Sequence, residues 1–467
     1  FEAFEPVVAW TIVHIVIAYK LCAIRKNYTM WTLHDYFALR YEDPRLIRGL
    51  SALVSAACLF FYLIAQFTAI GVVCETILGI PYTIGAIIAI GIVIGYVMSG
   101  GMWSTAWTTI LQSFVILAGT FMVFPIIIGW IGGIERLNEL LSQVPVLQSV
   151  NRGVAPDYLF GNYLTEISGP ANMPLIGWPF QISLYALAIA VGVTLLPFGV
   201  NNAFVLKDAK ALRWTPLLIF VLYGALMLMT KLMGMAARVA WAMGAIDVKD
   251  IRLATGEVVS WCDAGYPTLI KAVAPYFVWL AFLPFIIAAV QSSADRMLVI
   301  AATNIAYDFI KNTLKPDLSD RTVKWIFRIV ALAIGIGSGY LALSPTPMLV
   351  WLTWAALSLI INCFFWPIIG GLYWKRMNKH AAIWGMIVGF VVTLVTVAIY
   401  GKIVWICGIP LYVVVPGFIA STVVTLILAY ITKPHPEEVL RKTLTGPFIT
   451  CLLYTSDAAD ELDGVDL

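Results

Sequence analysis

One stretch carries oxygen and charge where its surroundings are apolar. AFLPFIIAAVQSSADRMLVIAATNIAYDFIK runs from Ala281 to Lys311. At helical spacing Ala289, Ser292, Ser293 and Arg296 share a face, with Asp295 three residues after Ser292. Two hydroxyls and a carbonyl can replace hydration oxygens around a small hard cation. Asp295 would add an anionic oxygen or a relay on the path of such an ion. Arg296 is always charged, and beside that position it would repel the ion or stand in for it. There is also a plain reading. Serines in apolar helices often bond back to a carbonyl one turn earlier and pack against neighbours, and Asp295 with Arg296 can be a self-neutralising pair. Sequence neighbours do not face each other on a helix, so each of the two charges then needs a further partner. His14 is the other ionisable group deep in an apolar segment. It is either a satisfied interhelical hydrogen bond or a substrate-side or proton-linked group, since imidazole titrates near neutrality.

The elements that must position these residues are apolar helices. Of 467 residues 61% are hydrophobic and 12% charged, and the mean hydropathy is +0.91. Soluble domains run near 25% charged, so the chain reads as an all-α polytopic membrane protein. Segments of bilayer length fall at 4–24, 48–74, 80–98, 104–132, 176–200, 214–243, 276–306, 322–343, 347–373, 381–401 and 411–432. Counting these eleven spans in alternation puts 20 of the 29 Lys and Arg on one side, which places that side and the C-terminus in the cytoplasm. Lys231 and Arg238 are expected to snorkel to the outer interface. Asp35 and Arg40 are expected to form a salt bridge within the first cytoplasmic loop. The linkers 133–175 and 244–266 read as loops with short interfacial helices.

Several function classes fall away. A net charge of +3 is too small to imply nucleic acid. Seven Cys and four His lack metal-ligand spacing, although Cys262 and Cys407 fall in loops on the same side. No clustered set of ionisable groups suits a membrane enzyme. The chain opens without Met close to an apolar span and reads as a fragment. Residues Cys451–Glu461, CLLYTSDAADE, read as one frame of a sequencing adapter, so 451–467 is set aside as a non-native tail after a cytoplasmic tail at 434–450.

An ordered set of motifs carries a resemblance: TLHDYFALRY (Thr32–Tyr41), GIPY (Gly79–Tyr82), GGMWSTAWTTILQ (Gly100–Gln112), LPFGVNNAFVLKDAK (Leu196–Lys210), AAVQSS (Ala288–Ser293), IAYDFIK (Ile305–Lys311) and FFWPIIGGLYWKRMNKHAAIWGMIVG (Phe364–Gly389). In this order, over about residues 5–433, the chain resembles the sodium:solute symporter family, with pantothenate and proline permeases as the nearest-looking branches. The resemblance implies a leucine-transporter-type (LeuT-type) fold, two inverted five-helix repeats with mid-membrane sites between them. The first four spans then match core helices two to five, the next five match core helices six to ten, and the last two flank them; the first flanking helix and core helix one are expected to be missing. It implies Na+ as coupling ion, held in part at Ala289, Ser292 and Ser293. It further implies symport of a small organic solute, such as pantothenate or another carboxylate or amino acid, across a bacterial inner membrane, with no obligatory protein partner. Two positions depart from the family: Thr109 stands where an acid is usual, and Asn202 where pantothenate-type members often have Arg. A transporter-like sensor and a sodium-independent homologue are the alternatives.

Overall fold

The computed structural model describes residues 5–152, 178–206, 212–248, 251–252, 258–259, 261–343, 349–401 and 403–445. Among them eleven helices are long and apolar enough to cross a membrane, matching the eleven expected spans one for one. They are numbered here in chain order: Pro6–Arg25, Leu46–Leu78, Tyr82–Gly101, Trp103–Ile131, Ile182–Val205, Thr215–Ala242, Tyr276–Leu314, Asp320–Ala342, Thr353–Tyr373, Lys379–Tyr400 and Val414–Ile431. The linkers add short helices at Ile134–Ser142, Val144–Arg152 and Trp261–Val273. They also hold two small antiparallel hairpins, Ile251–Arg252 with Val258–Val259 and Ile403–Ile406 with Ile409–Tyr412. Cys407 and Gly408 turn the second hairpin, both with positive φ, as a two-residue turn of matching twist requires. Cys407 is a free, exposed thiol, and the side chain of Cys262 lies outside the described residues. So do residues 446–467, which include the expected adapter-like tail.

Two spans are interrupted where the sequence carries breakers. Gly101 adopts φ 55°, ψ −140°, a region open to glycine alone, and divides the third span from the fourth without an intervening loop. The fifth span breaks at Leu195–Leu196 and restarts with Pro197 as the first residue of its second half. Pro197 has no N–H to offer Val193, whose carbonyl accepts from Leu196 instead.

The second, fifth and ninth spans are the most enclosed, and the seventh packs against the second, third and fourth. Small residues permit the close approaches. A Cβ on Gly389 would sit 2.1 Å from the Asn362 carbonyl oxygen. Asn362 itself donates to Thr393 Oγ1 (2.7 Å) and the Val414 carbonyl (3.0 Å), tying the ninth, tenth and eleventh spans together.

The expected Asp35–Arg40 bridge is not formed. Arg40 is fully buried and reaches the carbonyls of Gly371 (2.8 Å), Met377 (3.1 Å) and Trp374 (3.3 Å) at the C-terminal end of the ninth span. The Trp374 carbonyl also accepts from the Met377 amide at 3.2 Å, and the C-terminal end of the helix dipole adds attraction for the guanidinium. On the Leu33–Arg40 helix, Asp35 and Arg40 are five residues apart and point to different neighbours. The segment after the last span is also packed: Val439, Thr443 and Leu444 are buried, and His435 meets Glu42 at 3.4 Å.

Replacing Arg40 with Ala takes this donor from the carbonyls and is expected to destabilise the fold by about 3 kcal/mol. Arg40→Lys, lacking the planar fork, should recover only part of the loss. Thermal unfolding in detergent measures both, and an Ala variant as stable as the parent would contradict the capping role.

Candidate functional site

The seventh span is one continuous helix from Tyr276 to Thr303 that widens to π geometry over Asn304–Leu314. Pro284 lies within its first half. The oxygen-bearing face is accessible: Ala289 is exposed, and Ser292 and Ser293 are half-buried. Ser292 Oγ donates to the Ala289 carbonyl at 2.9 Å. That is the back-bond expected of a serine in an apolar helix. It also spends the hydroxyl hydrogen, so Ser292 turns only lone pairs outward, while the Ala289 carbonyl serves this bond and the helix ladder together. The face can therefore accept a cation or a donor.

Asp295 and Arg296 do not neutralise one another through their side chains. Asp295 is fully buried. One carboxylate oxygen accepts from the Arg296 backbone amide at 2.6 Å and the other from Thr108 Oγ1 at 3.4 Å, across the contact with the fourth span. Thr108 is also within reach of the Ser104 and Thr105 carbonyls, so its single hydrogen is contested. Tyr96 lies beside the same carboxylate. Thr109 Oγ1 and Arg296 Nε are buried without a hydrogen-bond partner, while the Tyr96 hydroxyl is within hydrogen-bonding reach of Asp295 and Gln112. The third, fourth and seventh spans thus enclose a polar cluster around Asp295, with Tyr96 and Thr108 as its neighbours.

His14 is not part of this arrangement. Its Nδ1 donates to the Trp10 carbonyl at 2.7 Å within its own helix. The first span packs chiefly on the fifth and sixth, and the hydrogen bond is intrahelical where an interhelical one was expected. Asn202 is exposed at the end of the fifth span, while its neighbour Asn201 accepts from the Leu33 backbone amide at 3.0 Å.

A second polar cluster, absent from the sequence reading, lies further along the seventh span. Arg48 pairs with Asp35 and, through Nε at 3.2 Å, with Asp308. Thr32 Oγ1 donates to the same Asp308 oxygen at 3.0 Å. Asp35 also accepts from the backbone amides of Trp31 (2.7 Å) and Thr32 (3.0 Å), fixing the start of the Leu33–Arg40 helix as a capping box. The cluster clamps the Leu33–Arg40 helix between the second and seventh spans. Its signal in sequence was Asp308 closing an apolar run, but Arg48 lies 260 positions away.

His34, outside the spans, sits against this cluster. Burial, with the Arg48 charge in support and Asn304 opposing, pulls its pKa down to about 3.

These features define a multi-pass α-helical membrane protein with polar clusters buried between its spans. A family model described as "Sodium:solute symporter family" matches residues 1–389, and the chain belongs to that family. Among similar proteins, "Uncharacterized symporter YwcA" of Bacillus subtilis (strain 168) is 24% identical over 401 residues, 85% of this chain and 73% of that one. "Sodium/pantothenate symporter" of Haemophilus influenzae is 27% identical over 373 residues, 79% of this chain and 69% of that one. "High-affinity proline transporter PutP" of Bacillus subtilis is 23% identical over 416 residues, 87% and 78% respectively. Among solved structures, a Na+-coupled sialic acid symporter in a substrate-bound outward-open state aligns with TM-score 0.58 at 16% identity, covering 93% of this chain and 90% of that one. The fold is the leucine-transporter type, and the family's members are transporters, not enzymes.

Because unfolded His34 takes up a proton near pH 6.5 and folded His34 does not until about pH 3, the unfolded state binds more protons throughout that window. Stability therefore falls as pH falls, by about 2 kcal/mol between pH 6.5 and 5 for this group. Thermal unfolding between pH 7 and 5 should show this slope, and His34→Gln should flatten it. An unchanged slope would show that His34 is not held neutral.

Proposed function

We propose that this chain is a sodium-coupled symporter that imports a small organic solute by alternating access. The observation that carries this reading is the accessible face of Ala289, Ser292 and Ser293, whose outward groups are oxygen lone pairs on an otherwise apolar span. A sodium ion there would take the Ala289 carbonyl and the two hydroxyls as part of its shell. These three oxygens are too few to replace a hydration shell alone, so further oxygens must come from outside this face. Residues 1–433 form the transporter domain in this reading, with 434–450 as a cytoplasmic tail. The positive-inside bias supports a cytoplasmic C-terminus in a bacterial inner membrane. The names of similar proteins favour a small carboxylate or amino acid, such as pantothenate or proline, as solute.

Asp295 supplies the acidity that the family usually places at Thr109. Thr108 Oγ1 bonds Asp295 across the helix contact, so an acid on either helix would charge the same cluster. It is assigned as an ion-path ligand next to the serine face. A second reading rests on Arg296, whose Nε is buried without a partner: its fixed charge takes the place of a mobile cation and transport is sodium-independent.

Uptake into cells or proteoliposomes with sodium replaced by choline separates the two. The symport reading expects uptake to fall at least to about a tenth, with Ser293→Ala raising the sodium concentration needed for half-maximal uptake on the order of tenfold. Undiminished uptake in choline would overturn it and favour the Arg296 reading.

A further inference from the structure

The second half of the fifth span, Pro197–Val205, is held from two directions. On one side it is tied to the C-terminal end of the first span. Cys22 Sγ donates to the Ala203 carbonyl at 3.2 Å, and Arg25 Nη1 donates to the Leu206 carbonyl at 2.7 Å. Both carbonyls lie in the last turn or at its cap, where helical donors run out. Further along the same contact the backbones lie close, since a Cβ on Gly199 would sit 2.6 Å from the Trp10 ring. The first span and this half are therefore built to travel together.

On the other side stands the Leu33–Arg40 helix. Leu33 is its first residue, and a first-turn amide has no helical carbonyl to reach. Asp35 takes the Trp31 and Thr32 amides. The Leu33 amide instead donates to Asn201 Oδ1 at 3.0 Å, and both residues are buried. The Leu33–Arg40 helix belongs with other spans. Thr32 Oγ1 donates to Asp308 of the seventh, Arg48 of the second bridges Asp308 and Asp35, and Arg40 reaches the ninth. Asn201 is thus a polar joint between two bodies, one carrying the first span and the other the second, seventh and ninth. The half also touches the seventh span, but packing contacts can slide, whereas a buried hydrogen bond is either made or broken. The break at Leu195–Leu196 lies only five residues before Asn201, about 8 Å at 1.5 Å per residue.

We propose that Asn201 is a positioning residue for alternating access, a latch whose side-chain oxygen on the Leu33 amide holds this end of the bundle closed. The bond breaks each time the second half of the fifth span swings about Leu195–Leu196 and takes the end of the first span with it. The proposal rests on the alternating-access reading and adds to it the contact that sets the balance between closed and open at this end. The bond exists only in the closed form, so its loss favours opening on the order of tenfold, the weight of one buried hydrogen bond. Asn202, next in sequence and exposed, has no part in it.

Hydrogen exchange of the full chain in lipid nanodiscs, read by mass spectrometry, tests the latch. Asn201→Leu is expected to speed exchange on the order of tenfold in Pro197–Val205 and also in Tyr19–Arg25, the end of the first span that opens with it. The tenth span, Lys379–Tyr400, is expected to keep its wild-type rates. Asn201→Asp retains an accepting oxygen at a helix N-terminus and should restore slow exchange, and Asn202→Leu should leave it unchanged. If Asn201→Leu does not fold, Asn201→Ala carries the same expectations. Unchanged exchange in Tyr19–Arg25, an equal rise in the tenth span, or no recovery with Asp would overturn the proposal. Exchange does not depend on which cation drives uptake. Undiminished uptake in choline together with the expected exchange pattern would therefore overturn sodium coupling and leave the latch standing.

Discussion

An apolar helix surrounded by other apolar helices offers no water to its polar atoms, so each oxygen or charge placed on it must find a partner or be left exposed. That constraint organises the seventh span. Its polar groups come in three sets along one rod: the half-open face of Ala289, Ser292 and Ser293, the cluster around Asp295, and the clamp at Asp308. Each set recruits a different neighbour. The first faces outward from the helix, the second borrows Thr108 from the fourth span, and the third captures Arg48 from the second and Thr32 from the linker between the first two spans. The spans beside it are therefore placed by polar accounting as much as by apolar packing, which in lipid supplies little preference between helices.

The remaining structure divides into parts that hold and parts able to move. Arg40, bound to three carbonyls at the end of the ninth span, and the knot of Asn362, Thr393 and Gly389 join the ninth, tenth and eleventh spans to the Leu33–Arg40 helix. These contacts are buried and short. The breaks at Gly101 and at Leu195–Leu196 are where backbone regularity is lost, and such points absorb dihedral change in transporters built from broken helices. The cluster of Arg48, Asp35 and Asp308 lies between the two kinds of region. An ionic clamp there can be undone by a single charge, which apolar packing cannot.

The spans were legible because hydropathy over bilayer length is a local property. The serine face was visible from spacing alone, and its functional weight came from the ordered motifs around it. What the sequence hid was every partner supplied from afar. Asp35 and Arg40 looked like a pair because both lie on one short helix, yet each answers to a residue on another span. Asp295 and Arg296 looked like a neutralising pair for the same reason, yet the carboxylate takes a backbone amide and a threonine from the fourth span. His34 and Asn304 drew no attention, since a loop histidine and a helical asparagine are ordinary until burial strips them of water. His14 drew attention for its depth and proved to be bonded within its own helix.

The account depends on one property of the serine face, that it meets solvent and holds sodium there. Cysteine placed at Ser293 and challenged with a charged, membrane-impermeant thiol reagent reads that property directly, with labelling followed with and without sodium. The account predicts modification in choline that is slowed markedly by sodium and not by equal choline. A cysteine that stays unreactive under every condition, or reacts at the same rate whichever cation is present, would contradict it.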